Sequence, residues 1–295
     1  MRKSYLYAIA ATLLWSTVAT AFKFGLHHFN HDTAALLGWS VLMAVLFLGV
    51  LSIIQAGKNS IRPMNIRSIR NSAILGALNP FLYYLVLFKA YDLLPASEAQ
   101  PLNYTWPITL SVFSAVVFKQ KMRWHQMVSV GLGFAGVWIL STRGLFHVRL
   151  SNPTGVFLAV GSSVIWAVYW IGNMRDGRQA LPKITLNFIF GVIYLFLYLF
   201  IQGNISIPSY YGMICAIWIG LGEMGLTFVL WMRALESAPS AGSVSHVVYL
   251  SPFISLLFLH TLVGEDILSS SIAGLCLIIG GVIFGSVKSS NVTKN

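Results

Sequence analysis

Long apolar runs separated by short polar connections set the pattern of this chain. Ten runs come within the roughly 17–25 residues that a bilayer-spanning helix needs, at 4–26, 33–55, 71–94, 96–118, 125–142, 153–172, 184–201, 209–233, 240–262 and 268–287. The third and fourth nearly touch across Leu94-Pro95. The connections are too short to fold by themselves. The pattern therefore predicts an all-α integral membrane protein of ten transmembrane helices, with no separate soluble domain.

Composition agrees. Of the 295 residues 57% are hydrophobic and only 9% charged, against about 25% charged in a soluble domain. Too few charges remain to cover a water-facing surface, so the lipid bilayer is the expected partner of most of the chain. The net charge of +11 would suggest nucleic acid in a soluble protein. Here the basic residues sit in the connections, where they act as topology signals, and no nucleic-acid partner is expected. With the N-terminus inside, fifteen of the nineteen Lys and Arg fall on the cytoplasmic side and only Lys23, Lys89, Arg143 and Arg149 outside. That asymmetry predicts cytoplasmic N- and C-termini. Lys23 near the end of the first run and the histidines after it stand where a cleavage site would require small residues, so the run reads as a span and not a leader. Cys215 and Cys276 lie inside apolar runs with no disulfide or zinc spacing.

The two halves echo one another. At an offset of 151, Leu14-Trp15 falls on Ile165-Trp166. At 144, Gly76, Leu82, Ala90 and Pro95 fall on Gly220, Leu226, Ala234 and Pro239, and Lys89 falls on Arg233. At 145, Pro107 meets Pro252 and Gly136-Val137 meets Gly281-Val282. The matches keep their order, pairing span 1 with 6, 3 with 8, 4 with 9 and 5 with 10. Five is an odd number, so the second half must be inverted. The expected division is a first repeat over 1–145 and a second over 150–290. Inverted repeats are a recurring transporter architecture, with the substrate site near mid-membrane where the repeats meet.

Polar and aromatic residues at mid-span carry the candidate chemistry. Span 4 holds Pro101 and Pro107 around Asn103, Tyr104 and Trp106. Two prolines remove two backbone donors and kink the helix. The freed carbonyls must face protein or a wet cavity. Asn103 and Trp106 are read as cavity-lining, a structural kink being the alternative. Span 9 repeats the theme with Ser243, Ser245, His246, Tyr249 and Pro252. Span 3 adds Asn79-Pro80 with Tyr83 and Tyr84, while Trp15 and Trp166 place aromatics near the middle of spans 1 and 6. Glu223 in mid-span 8 is the most expensive residue in the chain. A carboxylate at that depth costs at least ~2.5 kcal/mol on insertion scales, so it must face the bundle interior. Amine recognition, proton relay, or a structural pair with Lys89 or His246 all remain open. Helical spacing sets Ala216, Gly220 and Thr227 beside Glu223, a stripe small enough for water, substrate or a close helix. Trp15, Asn79, Tyr83, Asn103, Trp106, Trp166, Glu223, His246 and Tyr249 are the expected substrate-binding residues.

One fragment resembles enzyme chemistry. His27 to Asp32 contains His-x4-Asp, the spacing of lipid acyltransferases, and sets His27 and His31 at a metal-ligand spacing. It lies in a tight loop with no catalytic domain around it. An intramembrane enzyme built on His27 and Asp32 is the different-class alternative. No Walker A, Gly-x-Ser-x-Gly or His-Glu-x-x-His motif occurs. The expectation is a non-enzyme with no cofactor and no metal.

Taken with Leu14-Trp15-Ser16-Thr17, the run Tyr84…Lys89-Ala90…Pro95-Ala96-Ser97 into Asn103-Tyr104-x-Trp106-Pro107, and the echo Ala234-Leu235…Pro239-Ser240-Ala241…Pro252, the chain resembles the EamA type of the drug/metabolite transporter superfamily. The Asn-Tyr-x-Trp-Pro element is similar to the YddG-type aromatic amino-acid exporters in that family. The resemblance implies ten helices around a central cavity, with spans 5 and 10 peripheral. It implies secondary, alternating-access transport in a bacterial inner membrane, and a monomer or weak dimer. Trp15, Tyr83, Asn103, Trp106 and Trp166 would line the cavity. Glu223 stands outside the family pattern. The expected substrate is an amino acid or related amphipathic compound, exported. Import or exchange of a metabolite like S-adenosylmethionine, or drug export, is the alternative.

Overall fold

The computed structural model describes residues 2–56, 65–117, 124–144, 152–203, 205–237 and 246–287. Among the described residues ten helical spans follow one another. They are α1 (Arg2–His28), α2 (Thr33–Ala56), α3 (66–93), α4 (96–117), α5 (Trp124–Ser141), α6 (Pro153–Arg175), α7 (Ala180–Ile201), α8 (210–237), α9 (246–263) and α10 (Ser269–Val287). The protein is all-helical and multi-pass. Six of these spans (α1, α2, α3, α6, α7 and α8) are each long and apolar enough to cross a bilayer, and α5, α9 and α10 contain shorter apolar helices. Side chains such as Ile53, Phe134, Phe157 and Phe200 are more than 70% exposed. In lipid that is the favourable arrangement. Several buried hydroxyls are satisfied within their own helices, as where Thr12 donates to the Ala8 carbonyl and Ser40 to that of Leu36.

Each half of the chain packs chiefly against the other. Helix α1 lies against α8 and α9, and α6 against α3 and α4. Helix α2 packs on α7 and on the middle of α8, while α7 packs on the middle of α3. Helices α5 and α10 press mainly on one another, beside α4.

Glycines mark the closest crossings, in matching places. A Cβ on Gly76 would stand 2.3 Å from the Asn187 carbonyl of α7, and one on Gly220 2.3 Å from the Ser40 carbonyl of α2. Gly136 of α5 meets Gly274 and Ile278 of α10, and Gly281 of α10 meets Ser129 and Gly133 of α5. Only a residue without a side chain lets backbones approach so closely, and small-residue contacts are how membrane helices associate.

Four spans are irregular: α9 is 3₁₀-helical at His246–Leu250 and π-helical at Leu259–Val263, and the other three break as follows. In α3, residues Ala77–Leu82 are π-helical and Asn79 leaves helical geometry (φ −149°, ψ 122°). In α8, Trp218–Leu226 are π-helical. In α4 the helix stops at Asn103, turns through Tyr104 and Thr105, and resumes at Trp106. The kink expected from Pro101 and Pro107 is therefore present. The junction of α3 and α4 at Leu94-Pro95 is tied from two sides. Lys23 Nζ donates to the Tyr91 and Leu94 carbonyls at 2.7 Å each. The Glu265 carboxylate accepts from the Ala96 and Ser97 amides at 2.9 Å each, satisfying two of the orphan donors at the start of α4.

The stripe Ala216, Gly220 and Thr227 does not open beside Glu223. Ala216 and Gly220 are buried, with Gly220 against α2, and the Thr227 hydroxyl donates to the Gly222 carbonyl of its own helix. The i→i+5 bonding of the π segment widens the turn, so residues three apart no longer share a face. Of the readings left open for the stripe, the structure takes the close helix.

Candidate functional site: a central aromatic cavity

The irregular stretches of α4, α8 and α9 border a cavity of about 150 Å³. Helix α1 contributes Trp15, Val18 and Phe22, and α3 contributes Tyr83, Leu87 and Tyr91. Gln100, Asn103, Tyr104 and Trp106 come from the broken α4, and Trp166 and Trp170 from α6. Glu223 and Trp231 of α8, with Val248 and Tyr249 of α9, complete the wall. Both halves of the chain supply it.

Aromatic contacts build that wall. Trp166 stands 4.6 Å from Tyr83 between ring centres, and Trp15 stands 5.7 Å from Trp231. Asn103, where α4 breaks, is spent on structure: its Nδ2 donates to Ser162 Oγ at 2.8 Å and its Oδ1 accepts from the Tyr83 hydroxyl at 3.3 Å. These two bonds fasten α4 to α6 and α3 at the cavity floor.

Glu223 is not held by the Lys89 pair considered in the sequence, and the pair with His246 falls on a side chain outside the described residues. The Tyr84 hydroxyl donates to its Oε1 at 3.1 Å, while its Oε2 is buried without a partner. Lys89 instead bonds Asp92 at 2.6 Å on the exposed side of α3. Gln100 Oε1 is a second buried acceptor left unpaired. The cavity wall thus offers two unsatisfied acceptors. No lysine or arginine lines it among the described residues.

Seven of the nine expected residues converge here: Trp15, Tyr83, Asn103, Trp106, Trp166, Glu223 and Tyr249. Asn79 does not reach the cavity wall. It is fully buried, and its amide, with those of Asn173 and Asn187, faces the Tyr169 hydroxyl between α6 and α7. The reason is the non-helical Asn79 backbone, which turns the side chain off the face that carries Tyr83. The His246 side chain, Ser243 and Ser245 lie outside the described residues. Sequence reasoning missed Phe22, Tyr91, Gln100, Trp170 and Trp231. Helical stripes would have found several: Leu87 and Tyr91 continue Tyr83 at steps of four, Trp170 lies four after Trp166, and Gln100 three before Asn103.

The histidine fragment has structural employment. Asp32 Oδ1 accepts from the Ala35 amide at 2.9 Å, capping α2, and His31 Nδ1 meets Asp92 Oδ1 at 2.5 Å. Asp32 thus serves the start of α2.

The EamA-like transporter family model matches residues 2–142 and 153–287. The chain belongs to the EamA-like transporter family. It is a multi-pass membrane transporter for small metabolites. It is similar to the aromatic amino acid exporter YddG of Ancylobacter novellus, 25% identical over 94% of each chain. It is also similar to the uncharacterized transporter YoaV of Bacillus subtilis, 24% identical over 97% of each. The threonine/homoserine exporter RhtA of Salmonella typhimurium is 24% identical over 70% of this chain and 65% of its own. A solved crystal structure covers 97% of this chain and 98% of its own with a TM-score of 0.67 at 21% identity, which shows a shared fold and no more.

Proposed function

We propose that this EamA-family protein is a secondary exporter of small amphipathic metabolites, amino acids or their relatives, in a bacterial inner membrane. The observation that carries the reading is the central cavity, walled by both halves of the chain and by the points where α4, α8 and α9 depart from regular α-helix. Its polar and aromatic wall suits a ligand with an apolar ring and a hydrogen-bonding head. The names of YddG and RhtA, both amino-acid exporters, support the substrate class and direction.

The working unit is a pair of inverted repeats, 1–145 and 150–290, with the substrate between them. Gly76 against α7 and Gly220 against α2 make close crossings in the first and second repeats, and the repeats rock about the substrate between them. Transport follows the substrate gradient and uses no nucleotide, no cofactor and no covalent chemistry. The protein works as a monomer or weak dimer, with both termini in the cytoplasm as the basic connections dictate. Trp15, Tyr83, Asn103, Trp106, Trp166, Glu223 and Tyr249 form the substrate wall.

The test is uptake by liposomes containing the purified protein, offered a panel of labelled aromatic and aliphatic amino acids and aromatic amines. Saturable uptake above protein-free liposomes supports the reading. Failure of every member of the panel, with correctly folded protein, overturns it.

A further inference from the structure

We propose that the central cavity is a site for organic cations, in which Glu223 pairs with a protonated amine or quaternary ammonium while tryptophan faces hold the rest of the positive head. The inference rests on the reading of this cavity as the substrate path, and it narrows the substrate by charge.

Three observations carry it. First, the carboxyl group is incompletely satisfied. Tyr84 supplies one hydrogen bond to Oε1, and Oε2 has none. Gln100 Oε1, in the same wall, is likewise an acceptor without a donor. A buried acceptor left unpaired is costly, more so when it can carry charge. An ammonium group is the ligand head that repairs this wall, because it brings charge and several N–H donors and no acceptor. Second, the aromatic groups suit the same head. Trp15 and Trp231 stand 5.7 Å apart at an interplanar angle of 55°, and Trp166 adds a third indole with Tyr83 4.6 Å away. Indole faces attract cations more strongly than phenol or benzene rings do.

Third, no cationic side chain among the described residues of the wall pairs with a carboxylate. The cavity lining holds no lysine or arginine among the described residues. The basic residue beside it in sequence is Lys23, next to Phe22. Its ammonium is already spent on the Tyr91 and Leu94 carbonyls, 4.0 Å from Glu265. The Asn103 amide is committed to Ser162. A zwitterion therefore gains the Glu223 contact but leaves its own carboxylate without a cationic partner, beside the Glu223 carboxylate. An anion meets Glu223 itself. The expected ranking is cation above zwitterion above anion on the same apolar body.

The experiment uses the purified full chain and three probes that share a phenyl ring: phenethylamine, phenylalanine and 3-phenylpropionate. Binding is read from intrinsic tryptophan fluorescence, and flux from reconstituted liposomes. In the wild-type protein phenethylamine binds about tenfold or more tighter than phenylalanine, and 3-phenylpropionate weakest, since hydrogen bonds to a charged partner of this kind account for roughly a tenfold to hundredfold effect. Glu223→Gln abolishes the gap between amine and zwitterion, and Glu223→Asp keeps part of it. Trp231→Phe lowers phenethylamine affinity about threefold with little effect on 3-phenylpropionate. Because the wild-type ranking decides by itself, a variant that fails to fold does not rescue the idea. Equal or tighter binding of phenylalanine overturns it, as does a gap that survives in folded Glu223→Gln, or no binding of any probe. Charge-ranked binding without flux supports the cation site and overturns the transporter reading. Flux without ranking overturns the cation site alone.

Discussion

Replacing Gly220 by alanine sets two opposing effects against each other, and the structure says which wins. In a helix, glycine to alanine is favourable by about 1 kcal/mol. At Gly220 the new Cβ would stand 2.3 Å from the Ser40 carbonyl oxygen, 2.8 Å from Met43 Cβ and 3.1 Å from the Ala44 amide. Two of those three obstacles are backbone atoms, so no rotamer change relieves them. Reaching ordinary contact requires α8 to move off α2 by about 1 Å. Overpacking of this kind costs about 1–3 kcal/mol, and with rigid backbone on both sides the upper half of that range applies. The net expectation is a loss of about 1–2 kcal/mol after the propensity gain is subtracted. Gly131→Ala is the internal control, because nothing lies within 4 Å of its Cβ position. Both variants and the wild type are compared by thermal unfolding in the same detergent. Gly131→Ala should melt at or above wild type and Gly220→Ala clearly below it. Since Glu223 lies in the same π segment, Gly220→Ala should also raise the KM for transport. A Gly220→Ala protein that melts with or above Gly131→Ala would refute the close-crossing account of α2 and α8.

Other perturbations probe different parts of the molecule. Trp106→Ala should cut transport severely while leaving folded yield near wild type, measured by flux and by size-exclusion chromatography. Glu265→Gln removes the charge that caps the Ala96 and Ser97 amides, and thermal unfolding should show a loss of about 1 kcal/mol, of the order of a capping interaction. At Asp176, outside the spans, hydrogen bonds from Arg178 hold the carboxyl below the usual carboxylate range. A depressed pKa stabilises the fold above the unfolded value near ~4 and loses that contribution as pH falls through the folded value. Asp176→Asn should therefore melt lower than wild type from pH 7 to pH 5, with the difference closing as the medium is acidified further. Reporter fusions at Lys58 and Lys121 should report cytoplasm and one at Gln202 the outside; an outside signal at Lys121 would contradict the topology.

Much of the fold was legible because bilayer physics writes it into the sequence as run lengths. The ten apolar runs and the break in α4 between Pro101 and Pro107 needed nothing beyond a count and the missing proline donors. Gly76 and Gly220, which the offset of 144 pairs, lie at close crossings with α7 and α2. The π segments were not legible, because i→i+5 bonding leaves no compositional mark. That is why Gly220 was set beside Glu223 and turned out to face α2. Asn79 was misplaced for a related reason: helical periodicity stops predicting direction where the backbone leaves helical angles. The Glu265 cap on α4 joins residues about 170 positions apart, which no local pattern reveals. Trp170, Gln100 and Tyr91, by contrast, were available as helical neighbours of residues already chosen.

The central claim is that a small amphipathic solute crosses the membrane through the aromatic cavity. Counterflow tests it most directly: liposomes holding the purified protein are loaded with unlabelled phenethylamine and diluted into a trace of labelled phenethylamine, with no nucleotide present. The wild-type protein should accumulate label transiently above equilibrium, and Trp106→Ala, equally well folded, should not. Label entry no faster than in protein-free liposomes, or counterflow undiminished in Trp106→Ala, would contradict the account.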